Sequence, residues 1–169
     1  CSETLKGCAM VQINGSQSRP VIRMGVIGIG GGAGAMIPVF HNHPGFKWTA
    51  AADIDTQVLD RFARDYDVRT YTSAEAMCED PNVDAVYIAT PNRWHMPNAL
   101  AALNNKKHVL TEKPMTITLE DATEMIETAD RNSVHLAVNV KHSFERRVLK
   151  LRELVTSGEL GRLRMMHYW

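Results

Sequence analysis

A candidate strand, Val21 to Ile29, runs straight into Gly28-Ile29-Gly30-Gly31-Gly32-Ala33-Gly34, and no other stretch of the chain narrows its folding options as much. The strand is almost continuously apolar rather than alternating, so it must be covered on both faces. The residues after it must then leave the strand by a tight turn that has no room for side chains. The pattern satisfies GxGxxA at a strand-to-helix junction, the arrangement that cradles a dinucleotide pyrophosphate. Gly28 permits the turn, Gly30 with neighbouring Gly31 lets backbone approach the phosphates, and Ala33 lets helix and strand pack closely. The following helix N-terminus is expected to supply free N–H donors. A glycine loop without a ligand is the competing reading, and only context decides between the two.

That context is a regular alternation of short β-branched runs with helical stretches, the signature of βαβ units building a parallel sheet. Six strands are predicted: Val21 to Ile29, Phe46 to Ala52, Val68 to Tyr71, Ala85 to Ala89, His108 to Leu110 and Val134 to Val138. Ser73 is placed to cap a helix over Ala74 to Cys78, and Thr118 one over Leu119 to Arg131, with Leu119, Ala122, Met125, Ile126 and Ala129 as its apolar face. Pro38 falls inside the presumed first helix and predicts a kink or a late start. A last helix, Glu145 to Thr156, should turn Val148, Leu151 and Leu154 or Val155 inward and stop near Gly158. The fold class expected is α/β, a Rossmann-type doubly wound parallel sheet with only the start of a second α/β domain. Residues 1–19 read as a disordered tail, 20–144 as the dinucleotide-binding domain, and 145–169 as a linking helix and first strand, Leu163 to Trp169, of a truncated second domain.

Length and composition support one domain rather than two. A chain of 169 residues suffices for one well-cored unit of ~100 to 150 residues. Nineteen Lys and Arg balance nineteen Asp and Glu, so no global field draws in nucleic acid. The basic residues from Arg146 to Arg164 are interleaved with Glu153 and Glu159 as on a solvated helix face. No apolar run approaches the ~20 residues of a membrane helix. The cysteines Cys1, Cys8 and Cys78 are odd in number and lack CxxC spacing, which argues against a disulfide framework or a metal site and points to a reducing cytoplasm.

The second strand ends at Asp53, about 20 residues past the glycine turn, where an acid hydrogen-bonds the adenine ribose hydroxyls. A carboxylate there accommodates two free hydroxyls and repels a 2′-phosphate, and no Arg follows at once, so NAD is favoured over NADP. Capping of the next helix suits Asp55 better, since it directly precedes Thr56.

The fourth strand ends in Thr90-Pro91-Asn92-Arg93-Trp94-His95 and the fifth in Thr111-Glu112-Lys113-Pro114. Both sequences lie at the carboxyl edge, where open α/β sheets bind ligands. Trp94 reads as a ring able to stack on a cofactor or, more often for a loop tryptophan, as a filler of the hydrophobic shell, and His95 by itself as either a packing residue or a ligand contact. Lys141 and His142 follow the sixth strand and are read either as substrate contacts or as solvated residues.

Taken in order, the glycine turn, Ala51-Ala52-Asp53, Ala89-Thr90-Pro91-Asn92 with His95, Lys107-His108-Val109-Leu110 running into Glu112-Lys113-Pro114, and Gly158-Glu159-Leu160-Gly161 resemble the glucose–fructose oxidoreductase, inositol dehydrogenase and MocA (Gfo/Idh/MocA) family. The resemblance covers Val21 to Trp169. Met36-Ile37-Pro38, Cys78-Glu79-Asp80-Pro81 and His142-Ser143-Phe144 look most like its phthalate dihydrodiol dehydrogenase branch. The resemblance implies that Thr90, Pro91, Asn92 and His95 line the cofactor, that Glu112 helps hold the dinucleotide, and that Lys113 faces nicotinamide and substrate. It also implies a second α/β domain that covers the crevice and supplies an acid or base. Ser143-Phe144-Glu145 stands where many relatives carry an Arg-Phe pair, so a substrate role does not carry over to that segment.

A cationic ammonium at Lys113 suits hydride transfer, because it stabilises a developing alkoxide and, if burial lowers its pKa, can move a proton. The expected function is therefore an NAD-dependent oxidoreductase acting on a secondary alcohol of a small molecule, a sugar, cyclitol or cyclic dihydrodiol, with this chain inactive alone and the whole protein a homo-oligomer. A regulatory NAD-binding module and a family member using NAD transiently for hydrolysis or elimination are the alternatives.

Overall fold

The computed structural model describes residues 20–165 and 167. The expected tail 1–19 and Met166, Tyr168 and Trp169 of the expected last strand lie outside the described residues.

Each βα step of the sequence is realised in order: β1 (Ile22–Ile27), α1 (Ile37–His41), β2 (Phe46–Ala52), α2 (Thr56–Tyr66), β3 (Arg69–Tyr71), α3 (Ala74–Cys78), β4 (Ala85–Ile88), α4 (His95–Asn104), β5 (His108–Thr111), α5 (Leu119–Asn132), β6 (Leu136–Val138) and α6 (Arg146–Thr156). The strands form one parallel sheet in the order β3-β2-β1-β4-β5-β6. This is the doubly wound arrangement, in which the chain leaves β1 toward one edge and returns beside it to build the other.

Both faces of the sheet are covered, as the apolar strands demanded. In β4, Val86 and Ile88 face a core with Met77, Leu103, Val109 and Met125, while Ala85 and Tyr87 face the opposite core with Met24, Phe40, Trp48 and Phe62. Period-two alternation thus splits one hydrophobic strand between two layers. The amino ends of β1 and β4 are tied by Arg23, whose guanidinium donates to both oxygens of Asp84.

The caps behave as the sequence predicts. Asp55 accepts from the N–H groups of Gln57 and Val58, Ser73 from Ala76 and Thr118 from Asp121. Pro38 has the expected effect: the chain after Gly30 makes turns until a short α1 begins at Ile37, with Pro38 in its first turn. The helix therefore does not start at the glycine turn, and its N-terminus is not the phosphate donor set that the motif alone implies.

Three expectations are corrected. On α5, Leu119 is 78% exposed and Ile126 50%, and the buried face is Met125, Thr128 and Ala129. The close partner of α5 is α4, and contact with one neighbouring helix covers a narrower stripe than the full apolar period. On α6 no residue is buried: Val148 and Leu154 are half-covered, and Leu151 and Val155 are exposed. Leu163 to Met165 are not in a strand, because a strand needs a hydrogen-bonding neighbour and neither edge of the sheet pairs with them. Among the described residues no helix is long and apolar enough to cross a membrane, and no group of three His, Cys, Asp or Glu is placed to hold a metal.

Candidate functional site

Sheet order reverses between β1 and β4, and a crevice opens there beyond the carboxyl ends of the strands. It is a cleft of about 450 Å3 whose walls include Gly28, Gly30, Asp53, Thr90, Pro91 and Trp94.

Gly28 has φ +85°, and a Cβ there would lie 2.9 Å from Thr90 Cγ2 and 3.0 Å from the Ala89 carbonyl. The turn and the β4 end thus exclude any side chain at this position. Gly30 is the converse case, since a Cβ built on it meets nothing within 4 Å and would project into open space beside the cleft wall. Gly31 is equally open and exposed. Ala33 is fully buried in the core of Met24, Val26 and Phe40, which is where close packing of the turn on the sheet requires a small residue.

Asp53, just past β2, bridges to the glycine turn. One carboxylate oxygen accepts from the Ile29 N–H at 2.8 Å and the other from the Asp55 N–H at 3.0 Å. A carboxylate has about four acceptor positions, so each oxygen keeps one for a ligand hydroxyl. At the same end of the cleft Ser73 donates to Glu75, which holds that carboxyl below its ordinary range.

Thr90 and Pro91 form the opposite wall. The Thr90 hydroxyl accepts from the Asn98 side-chain amide at 3.2 Å. Asn92 is exposed at the start of a 3-10 turn, Asn92–Trp94, outside the cleft lining. His95 is 1% exposed and stands behind that wall, with its ring nitrogens 2.8 Å from the Pro114 carbonyl and 2.9 Å from the Thr90 carbonyl.

Glu112 and Lys113 lie at the next strand end. The Glu112 N–H donates to the Ile88 carbonyl, and one of its carboxylate oxygens accepts from both Tyr87 Oη and Asn139 Nδ2, each at 2.6 Å. Burial, then the Glu112 bond, push the Tyr87 phenol well above its usual range, so it remains a donor. Lys113 is exposed, precedes a cis peptide bond to Pro114 and makes no ion pair among the described residues. His142 sits on the surface paired with Glu145, away from the cleft lining. The Lys141 side chain lies outside the described residues.

The structure therefore gathers Gly28, Gly30, Asp53, Thr90 and Pro91 on one cleft, with Glu112 and Lys113 one strand further along the same sheet edge. It also brings in Trp94, which the sequence reading favoured as a filler of the hydrophobic shell, and two residues that reading passed over, Tyr87 and Asn139. Trp94, 49% exposed, lines the cleft under Arg93, whose guanidinium is 6.0 Å from its ring centroid. Asn139 and Tyr87 fix Glu112; Asn139 directly follows β6 at the carboxyl edge, and that position was the available signal.

A family model described as "Oxidoreductase family, NAD-binding Rossmann fold" matches residues 22–140. Among curated proteins the chain is 39% identical over 147 residues to a 1-carboxy-3-chloro-3,4-dihydroxycyclohexa-1,5-diene dehydrogenase of Comamonas testosteroni, covering 86% of this chain and 37% of that protein. It is 29% identical over 157 residues to a glycosyl hydrolase family 109 protein of Saccharopolyspora erythraea, covering 87% and 34%. Among solved structures it is similar to the WlbA dehydrogenase of Chromobacterium violaceum in complex with NADH and UDP-GlcNAcA, with a TM-score of 0.81 at 25% identity over 86% of this chain and 43% of that one. The chain thus spans well under half the length of the proteins it matches.

Proposed function

The chain belongs to the oxidoreductase family with an NAD-binding Rossmann fold, and from that premise we propose that it is the dinucleotide-binding part of an NAD-dependent enzyme. The reaction is hydride transfer between nicotinamide and a secondary alcohol of a sugar, cyclitol or cyclic dihydrodiol. The observation that carries the proposal is the open face of Gly30 beside Asp53: backbone free of any Cβ contact, and a carboxylate one hydrogen bond away on the Ile29 amide.

Bound NAD supplies the hydride acceptor that no side chain can. The chain's own residues position and protonate. Gly28 holds the turn, Gly30 and Gly31 offer backbone to the pyrophosphate, and Thr90 and Pro91 close the far wall, with Asn92 beside them. Asp53 receives two ribose hydroxyls at its remaining acceptor positions and repels a 2′-phosphate, which selects NAD over NADP. Glu112, fixed by Tyr87 and Asn139, borders the nicotinamide end. Lys113, an exposed ammonium with no carboxylate partner among the described residues, stabilises negative charge growing on the substrate oxygen and, in the reductive direction, donates the proton that turns that oxygen into the hydroxyl, becoming the neutral amine that takes the proton back in the oxidative direction.

Calorimetric titration with NADH and NADPH tests the binding half. NADH should bind more tightly than NADPH, and Asp53→Ala should weaken NADH by at least about tenfold while narrowing that preference. Tighter NADPH binding, or an unchanged NADH affinity in Asp53→Ala, rejects the assignment. In a full-length protein carrying this domain, Lys113→Ala should lower kcat and leave NADH affinity intact.

The glycosyl hydrolase family 109 relative favours a second reading, in which the redox step is internal and the cofactor returns to its starting state. Net NADH accumulation during turnover separates the two. No observation favours a purely regulatory module.

A further inference from the structure

We propose that Arg93 is the counter-charge for the pyrophosphate of the ligand, and that it selects phosphate-bearing ligands from the wall of the cleft that faces Asp53. The inference rests on the dinucleotide reading above and adds a residue which that reading does not use.

The glycine turn alone leaves the phosphates short of positive charge. Where a helix starts directly behind such a turn, its N-terminus lends a partial positive charge to the bound anion. Here α1 starts only at Ile37 and is five residues long. The open backbone of Gly30 therefore borders the cleft with no helix dipole behind it. Two carboxylates, Asp53 and Glu75, line the same cleft, and their charge repels an anion. A pyrophosphate placed there needs a cation from elsewhere on the walls.

Among the described residues that line the cleft, Arg93 is the sole cationic side chain. It belongs to the 3-10 turn Asn92–Trp94 that follows β4. That turn is fixed by its own backbone: the Trp94 N–H donates to the Pro91 carbonyl at 2.8 Å and the His95 N–H to the Asn92 carbonyl. The guanidinium lies 6.0 Å from the ring centroid of Trp94, itself part of the cleft wall. Attraction to the indole face holds the charge at that wall instead of letting it extend into solvent.

Arg93, Asp53 and Glu75 are in no ion pair among the described residues. A cation and two carboxylates thus share one cleft without touching, which leaves the space between them to a ligand with hydroxyl donors at one end and negative charge at the other. The ADP half of a dinucleotide has that polarity. Its ribose hydroxyls donate to Asp53 and its pyrophosphate reaches Arg93, whose planar fork can donate two N–H groups to phosphate oxygens. The charge at position 93 then discriminates between ligands that share adenosine and differ in phosphate.

The test titrates the whole chain, Arg93→Gln and Arg93→Glu with adenosine, ADP and NADH, followed by 1H–15N chemical shifts, which register weak binding as well as tight. Arg93 is exposed, so both variants should keep the wild-type urea midpoint. Affinity for ADP and NADH should fall about tenfold from Arg to Gln and about tenfold again from Gln to Glu. Adenosine affinity should stay within about twofold across the series. Added NaCl should weaken ADP binding more steeply in the wild type than in Arg93→Gln. Unchanged ADP and NADH affinity in both variants overturns the proposal and leaves the dinucleotide reading standing. Equal losses for adenosine and ADP also overturn it, because the guanidinium then acts on the base and not on the phosphates. A folded wild type that binds neither ADP nor NADH rejects the dinucleotide reading and this proposal with it.

Discussion

Substituting alanine at Gly28 and at Gly30 should separate folding from binding within one three-residue turn. At Gly28 the residue sits at φ +85°, where an L side chain costs about 1–2 kcal/mol. Its Cβ would also meet the Ala89 carbonyl carbon and oxygen at 3.0 Å and Thr90 Cγ2 at 2.9 Å. The first two are backbone of a central strand end and cannot swing aside, which adds about 1–3 kcal/mol of overpacking. Gly28→Ala should therefore lose about 2–5 kcal/mol, and with a urea m-value of about 2 kcal/mol/M the midpoint should fall by roughly 1 to 2.5 M. Gly30 lies outside the left-handed region and its Cβ meets nothing within 4 Å. Gly30→Ala should keep its midpoint, or raise it by up to about 0.5 M as the unfolded chain loses freedom. Its methyl nevertheless occupies the approach to the pyrophosphate, so NADH affinity should drop by at least about tenfold. Urea unfolding followed by circular dichroism and NADH calorimetry on both variants make the comparison. Unimpaired NADH binding by Gly30→Ala would refute the placement of the phosphates, and a wild-type midpoint in Gly28→Ala would refute the turn geometry.

Other perturbations follow from the packing. Burial opposes the Asp80 charge, yet the Asn82 N–H, the Tyr71 hydroxyl, the Asn82 amide and the Arg69 guanidinium together hold its carboxyl below the usual range. Its folded value lies under its unfolded one, so its contribution is complete above about pH 4 and is lost as pH falls through the folded value. Asp80→Asn should cost about 1–3 kcal/mol near neutrality, with urea midpoints of variant and wild type converging in acid. Burial pushes the Cys78 thiol up to about 12, so peptide mapping after iodoacetamide treatment at neutral pH should find Cys78 unmodified in the native chain and alkylated in urea. On α5, Met125→Ala should lose about 2–5 kcal/mol and Leu119→Gln less than about 0.5 kcal/mol; equal losses in denaturant unfolding would contradict the burial of that helix.

What was legible in the sequence depended on how local its cause is. The strands fall where β-branched runs fall, because a parallel strand covered on both faces has little choice but continuous hydrophobicity. Asp55, Ser73 and Thr118 cap their helices through hydroxyl or carboxylate oxygens two or three residues from the amide they satisfy, a distance any reading of the chain can span. The α5 face was only half readable. Periodicity fixes a direction around the helix axis, but it does not say how much of that face a neighbour covers, and Leu119 and Ile126 match the period without reaching the contact made by Met125, Thr128 and Ala129. On α6 the period is present, but among the described residues nothing packs on it closely enough to bury a side chain.

The glycine turn shows the same limit at the site itself. Its motif placed the cleft, yet Pro38 delays α1 to Ile37, so the open backbone of Gly30, and not a helix N-terminus, borders the cleft. His95 was harder still. Its place after Thr90-Pro91-Asn92 suggested a residue lining the cofactor, but a side chain at the start of a helix leans back toward the N-terminus. From the first position of α4 that direction leads under the preceding loop to the Thr90 carbonyl, not up into the cleft. The Pro114 carbonyl reaches the same ring only because β5 lies beside β4 in the sheet, a neighbour relation that no spacing along the chain encodes.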